Sequence, residues 1–172
     1  MREGKTDSIT SIPNELNWAL FRSPMPFGRY ETSNYAVLDS WIENKIDVAI
    51  VTNPISEFIE KTGANRLTDI EKSGVSSIYF PIEDCGIPIF SDLIRLIDEI
   101  VNQLNANEKV VVHCSAGIGR TGMILACILI ASGKYTSQDA MLALSNLKPR
   151  MGPENRIQEG IILQYERHFL SK

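Results

Sequence analysis

A thiol and a guanidinium with five residues between them stand in the stretch His113-Cys114-Ser115-Ala116-Gly117-Ile118-Gly119-Arg120-Thr121-Gly122. The apolar run Val110-Val111-Val112 leads in and Met123 to Ala131 leads out, which reads as strand, turn and helix. A glycine-bearing turn at a helix N-terminus can present backbone N–H groups to an anion, and the helix dipole adds to that field. The same field favours the thiolate form of a cysteine. Arginine contributes a planar fork that matches two oxygens of a phosphate. The expected chemistry is a phosphate held by the N–H groups of Ser115, Ala116, Gly117, Ile118, Gly119 and Arg120, with Cys114 as nucleophile beneath it.

A thiolate that displaces oxygen from phosphorus needs a proton donor for the departing atom. Asp84 is the candidate, in a loop between Phe80-Pro81 and Gly86. By position alone, an aspartate between a strand end and a helix start is more often a turn former or cap, and Glu83 stands beside it as a competitor. Thr121 reads by position as a first-turn helix hydroxyl. His113 is a poor base for Cys114, because consecutive strand residues point to opposite faces; a structural role in hydrogen bonding around the loop is expected. His168 reads as a surface residue and Cys127 as core. Cys85 is either a small loop residue or a thiol able to trap oxidised Cys114 as a disulfide. The cysteines and histidines lack metal-ligand spacing, so neither a metal nor another cofactor is expected.

Alternating strand and helix signals surround this loop. Strands are predicted at Trp18–Phe21, Asp47–Thr52, Ser77–Phe80 and 109–113. A first helix is indicated by Val37, Leu38, Trp41, Ile42 and Ile46, and short helical pieces by 55–61 and 67–73. Phe90, Leu93, Ile94, Ile97, Ile100, Val101 and Leu104 share one face of a longer helix. A helix over 120–131 stops at Ser132-Gly133. Thr136 with Asp139 resembles a capping box that opens a helix running to about Leu147. A last helix, from about Asn155, carries Ile157, Ile161, Ile162, Tyr165 and Phe169. The pattern predicts an α/β domain with a central, mainly parallel β-sheet of about 4–5 strands flanked by helices. The Cys114 loop would then lie at a strand's carboxyl end, where open α/β sheets bind ligands.

The chain has 172 residues, 44% hydrophobic and 22% charged, which suits one globular domain over 1–172, with 1–15 a loosely ordered segment. A net charge of −4 gives no whole-molecule attraction to nucleic acid. Three cysteines, an odd number, point to a reducing compartment. The apolar runs are too short to insert into a membrane and the first residues lack a signal-peptide core, so a cytoplasmic location is expected. A monomer is the expected state.

Cys-x5-Arg followed by Thr, after a His-ended apolar strand, resembles the catalytic loop of the cysteine-dependent protein tyrosine phosphatase superfamily. The compact chain most resembles its dual-specificity branch, with elements in matching order from roughly Trp18 to Phe169 and high specificity only over 113–122. The resemblance implies Cys114 as nucleophile through a phosphocysteine intermediate, Arg120 as phosphate ligand and Asp84 as general acid and then base. It also implies that the Thr121 hydroxyl hydrogen-bonds the thiolate. The implied substrate is a phosphorylated protein or peptide carrying phosphotyrosine, with phosphoserine or phosphothreonine as further substrates. Ala116 and Ile118 leave no Lys or His within the loop, which weighs against a phosphoinositide, the alternative substrate. Asn155, Gln158 and Gln164 are the candidates for orienting the hydrolytic water. Arg22, Arg29, Arg150 and Arg156 are candidates for the rim, with Arg22-Ser23-Pro24 read as a structural turn.

Three other classes compete. Gly117-x-Gly119-x-x-Gly122 matches a dinucleotide-binding fingerprint, as in an oxidoreductase, but no acidic residue ends a following strand about twenty residues on. A sulfurtransferase-like domain also carries a cysteine–arginine loop, but the Thr121-Gly122 continuation fits it less well. A phosphate-binding module without activity is disfavoured by the joint presence of Cys114, Arg120 and Asp84.

Overall fold

The computed structural model describes residues 9–30 and 35–172. Five strands form one sheet: β1 (Thr10–Ser11), β2 (Leu20–Ser23), β3 (Val48–Val51), β4 (Ser76–Tyr79) and β5 (Val110–His113). Their spatial order is β1-β2-β5-β3-β4, with β1 antiparallel to β2 and the other pairs parallel. β3 and β5 are central and buried on both faces, which is why they read as unbroken apolar runs rather than alternating ones. β4 is an edge strand, half-exposed, and correspondingly begins with two serines.

Strand alternation divides the core in two. Val48, Ile50, Val110 and Val112 pack toward one side, against α4 (Phe90–Asn105), α5 (Gly119–Ala131), α6 (Ser137–Leu147) and α7 (Arg156–Leu170). Ala49, Val51 and Val111 face the other, with α1 (Ala36–Glu43), α2 (Ile55–Thr62) and α3 (Leu67–Lys72). α5 is buried all round from Gly119 to Ile130, as a helix apolar on every face must be. α4 is amphipathic and buries Leu93, Leu96, Ile97, Ile100 and Leu104. α6 opens as its sequence indicates: the Thr136 hydroxyl oxygen accepts from the Asp139 N–H at 3.1 Å. Among the described residues no helix is long and apolar enough to cross a membrane.

Several expectations shift. The strand expected from Trp18 is β2 and begins at Leu20, two residues later than the apolar run indicates. The Asn14 side chain causes this, accepting from the Trp18 N–H and donating to the Trp18 carbonyl, both at 2.9 Å, which closes a loop over 14–18. β2 then extends through Arg22 and Ser23, which pair with Val112 and His113. The segment expected to be loosely ordered contains β1, with Ile12 buried and its N–H donating to the Leu20 carbonyl at 2.8 Å. Residues 1–8, the rest of that expectation, lie outside the described residues. Ile42 and Ile157, placed on apolar faces by spacing, are 49% and 64% exposed.

Ile97 and Ile157 offer a test, being the same residue type on helices, one buried and one exposed. Ile97→Ala should lower the unfolding free energy by about 2–5 kcal/mol in urea titration, and Ile157→Ala by less than about 0.5 kcal/mol.

Candidate active site

The loop between β5 and α5 is held from below. Arg22 is fully buried; its Nε donates to the Gly117 carbonyl at 3.0 Å and its Nη2 to the Ala116 carbonyl at 2.7 Å. The Ser115 carbonyl accepts from the Met25 N–H at 3.0 Å. Three successive carbonyls are thus tied to the chain around β2, and no hydrogen bond among the described residues uses the N–H groups of residues 115–118. Gly117 makes this possible. Its φ is +67°, and a Cβ there would stand 2.2 Å from the Ser23 carbonyl oxygen. Gly122 likewise leaves room for the Gly152 backbone, which a Cβ would approach to 2.4 Å. The glycine spacing that imitates a dinucleotide fingerprint therefore has a packing cause.

Above the loop lies a pocket of about 170 Å³, lined by Cys114, Ser115, Ala116, Gly119, Arg120 and five residues from elsewhere, Arg29, Tyr30, Lys61, Asp84 and Glu154. The side chain of Cys114 is almost fully buried at its floor and unbonded to any other cysteine. Arg120 is only 1% exposed. Its Nη1 donates to Glu57 Oε2 at 2.7 Å and its Nη2 to Glu57 Oε1 at 3.0 Å, a two-pronged ion pair. Nη1 also donates to the Ile82 carbonyl at 2.9 Å, and Nη2 to Asp84 Oδ1 at 3.2 Å. Burial works against the guanidinium charge, but Glu57, Cys114 and Asp84 more than offset it and raise its pKa. Burial would also raise the Glu57 carboxyl. Hydrogen bonds from Arg120 and Lys61 outweigh that effect and hold it down at about 2.

Glu57 and Lys61 had no signal in the sequence. They lie one turn apart on α2, far along the chain from the loop. Lys61 Nζ donates to Glu57 Oε1 at 2.6 Å and to Ser115 Oγ at 2.8 Å. The only trace would have been an acidic residue beside the buried Phe58. Glu154 was missed as well; its carboxylate fills the space a side chain at 119 would need.

Of the two acid candidates, Asp84 lines the pocket and Glu83 does not. They share a tight turn closed by the Gly86 N–H donating to the Glu83 carbonyl at 2.8 Å. Asp84, Cys85 and Glu154 approach within 4.8 Å of one another at the exposed rim. The charges of Asp84 and Glu154 raise the Cys85 pKa, which disfavours the thiolate a redox role would use. Burial pushes the Cys127 thiol up.

Other expectations are corrected. Neither ring nitrogen of His113 finds a well-aligned hydrogen-bond partner among the described residues. Its buried ring lies against Trp41 and Phe58, with centroids 5.3 and 6.2 Å away. Burial lowers its pKa to about 3, the nearby Cys114 backbone offsetting only part of this. Thr121 Oγ1 is buried in the first turn of α5 without a hydrogen-bond partner among the described residues, the Cys114 sulfur included. Asn155 and Gln158 direct their amides at the backbone of residues 85–86 instead of into the pocket, and Gln164 is exposed on α7. Of the four rim arginines only Arg29 lines the pocket. Arg22 lies under the loop, and Arg150 belongs to a separate groove with Gln138 and Met141. His168 is half-buried against Phe90.

A strand-ended loop with a buried cysteine, a fixed arginine and an aspartate across the opening defines a cysteine-phosphatase type of α/β domain. Residues 33–134 match the family profile described as "Tc-R-P: Polymorphic toxin system, DSP-PTPase phosphatase", and the chain belongs to that family. Over 85 residues it is 28% identical to cyclin-dependent kinase inhibitor 3 of Rattus norvegicus, covering 49% of this chain and 40% of that protein. Over 134 residues it is 26% identical to the tyrosine-protein phosphatase CDC14 homolog of Schizosaccharomyces pombe, covering 76% of this chain and 22% of that protein. The chain thus spans less than half the length of these relatives. The fold is that of Tk-PTP in its active form (TM-score 0.75, 23% identity, 95% of this chain and 99% of that one). It is also that of PTPMT1 in complex with PI(5)P (TM-score 0.76, 16% identity, 96% and 98%).

The depressed Glu57 carboxyl predicts a pH dependence of stability. Its folded pKa lies below the ordinary 4.5, so its contribution is complete above that value and is lost as pH falls toward about 2. The difference corresponds to about 3 kcal/mol. Unfolding free energies measured between pH 5 and pH 2 should fall more steeply for the wild type than for Glu57→Gln by about that amount. The variant should start lower by about 3 kcal/mol, because the buried Arg120 loses its two-pronged partner and keeps only the longer ionic contact to the exposed Asp84.

Proposed function

We propose that this chain hydrolyses phosphate monoesters on proteins, phosphotyrosine foremost with phosphoserine and phosphothreonine also admitted, through a phosphocysteine on Cys114. The observation that carries the reading is the convergence of Cys114, the Glu57-fixed Arg120 and Asp84 on one small pocket. The substrate's phosphoryl oxygens sit on the N–H groups of 115–120 and on Arg120, through its Nε–H and through the Nη2 N–H once Asp84 gives it up. In the first step the Cys114 thiolate attacks phosphorus in line, the S–P bond forms and the P–O bond to the leaving group breaks. Asp84 gives its proton to that departing oxygen. In the second step Asp84, now a carboxylate, takes a proton from the attacking water. The S–P bond breaks, and inorganic phosphate and the thiolate are released. Arg120 and the loop amides carry the charge on the equatorial oxygens in both steps, already oriented before substrate arrives.

A second reading has its own observation. Arg120 is the loop's one cation, but Lys61 and Arg29 bring two more to the pocket from outside it, and both also line an adjoining compartment with Met25 and Tyr30. Charge at that position suits a substrate with a further phosphate beside the scissile one, such as a phosphoinositide.

Phosphate release without added metal should be compared for a phosphotyrosine peptide, a phosphothreonine peptide and a phosphoinositide. Cys114→Ser should abolish release, and Asp84→Asn should lower it roughly 10²–10⁴-fold. The phosphotyrosine peptide should be cleaved fastest. If the phosphoinositide is fastest instead, and Lys61→Ala reduces that activity alone, the second reading holds.

A further inference from the structure

We infer that Asn155 and Gln158, at the start of α7, are positioning residues that hold the Asp84 turn over the pocket. This rests on Asp84 as the general acid. Asn155 Nδ2 donates to the Cys85 carbonyl at 2.8 Å, and Gln158 Nε2 donates to the Gly86 carbonyl at 3.1 Å. The two carbonyls immediately after Asp84 are therefore both fastened to one helix end. The remaining atoms of both amides are committed too. Asn155 Oδ1 accepts from the N–H groups of Ile157 and Gln158 at 3.0 and 2.9 Å, capping α7. Gln158 Oε1 accepts from the Glu154 N–H at 2.8 Å, and the side chain has no exposure.

The turn needs such fastening. Cys85 has φ +58°, a conformation that costs a residue with a Cβ energy and persists only where its surroundings hold it. From the other side Arg120 holds the Ile82 carbonyl and Asp84 itself. The segment that carries Asn155 is in turn seated on the nucleophile loop. The Gly152 N–H donates to the Ile118 carbonyl at 3.3 Å, and Glu154 packs against Gly119. Residues 152–158 thus bridge the loop that binds phosphate and the turn that carries the proton, fixing one relative to the other. A displacement of about 1 Å between such groups is enough to cost a large part of a proton-transfer step.

General acid help matters most when the leaving oxygen is strongly basic, and this separates positioning from mere support. Asn155→Ser and Asn155→Asp both keep an acceptor to cap α7 while removing the donor to Cys85. Wild type, both variants, Asp84→Asn and the Asp84→Asn/Asn155→Ser pair would be assayed on phenyl phosphate and on a fluorinated coumarin phosphate, whose leaving group is far less basic. Thermal melts would accompany each. Asp84→Asn should lose much more kcat/KM on phenyl phosphate than on the coumarin ester. The two Asn155 variants should show the same selectivity at smaller amplitude, roughly 10-fold on phenyl phosphate. The double variant should be no worse than Asp84→Asn alone, because the second change acts only through the first. Equal losses on both substrates in the Asn155 variants, or losses that add to those of Asp84→Asn, would overturn the inference. Should Asp84→Asn itself be unselective, the general acid reading fails and the inference with it.

Discussion

The buried two-pronged ion pair between Arg120 and Glu57 is the constraint on which the rest of the site depends. Arg120 opens α5, which packs on one face of the sheet, and Glu57 lies on α2, whose Phe58 packs on the other. The pair therefore closes over the carboxyl ends of the central strands and joins the two helical layers where the pocket lies. Pairs of this kind contribute little net stability compared with a well-packed apolar substitute, whereas breaking one leaves a desolvated charge. Its value here is orientation. Both Glu57 oxygens are engaged by the fork, the Ile82 carbonyl takes a further N–H, and the guanidinium plane is set before any phosphate arrives.

The same economy governs the loop. A phosphate cradle needs successive N–H groups directed inward, so the matching carbonyls must be satisfied outside. Arg22 and the Met25 N–H do this. Gly117 is the residue that lets the backbone come so close to Ser23. Two arginines thus do complementary work: Arg22 shapes the cradle from beneath, and Arg120 completes it from above. The uncharged, packed His113 belongs to this scaffold as well, its ring wedged between elements and the nucleophile's strand rather than available for proton transfer.

Chemistry carried by contiguous residues was legible in the sequence; chemistry assembled across the chain was not. Cys114, Arg120 and the loop between them share one strand-turn-helix unit, so type and spacing suffice to read them. The central strands were legible because burial on both faces demands unbroken apolar residues, and α4 because one apolar stripe recurs at helical spacing. Asp84 was readable only as a carboxylate in a loop, and what separates it from Glu83 is which of them faces the pocket. Glu57 and Lys61 sit on a short helix with several charged neighbours, where nothing local distinguishes a buried ion pair from a solvated face. β1 is too short for alternation to register. The amides of Asn155 and Gln158 are polar residues near a helix start, and only the folded chain reveals that they reach the turn at 85–86.

The most direct test of the account is the identity of the covalent intermediate. Enzyme turning over a phosphotyrosine peptide would be quenched in acid, digested and analysed by mass spectrometry for a phosphoryl group bound to sulfur. The account predicts an adduct on the peptide that contains Cys114, formed at a rate no slower than turnover and absent from Cys114→Ser. A phosphoryl group on Cys85 or on any other residue, or sustained phosphate release by Cys114→Ser, would contradict it.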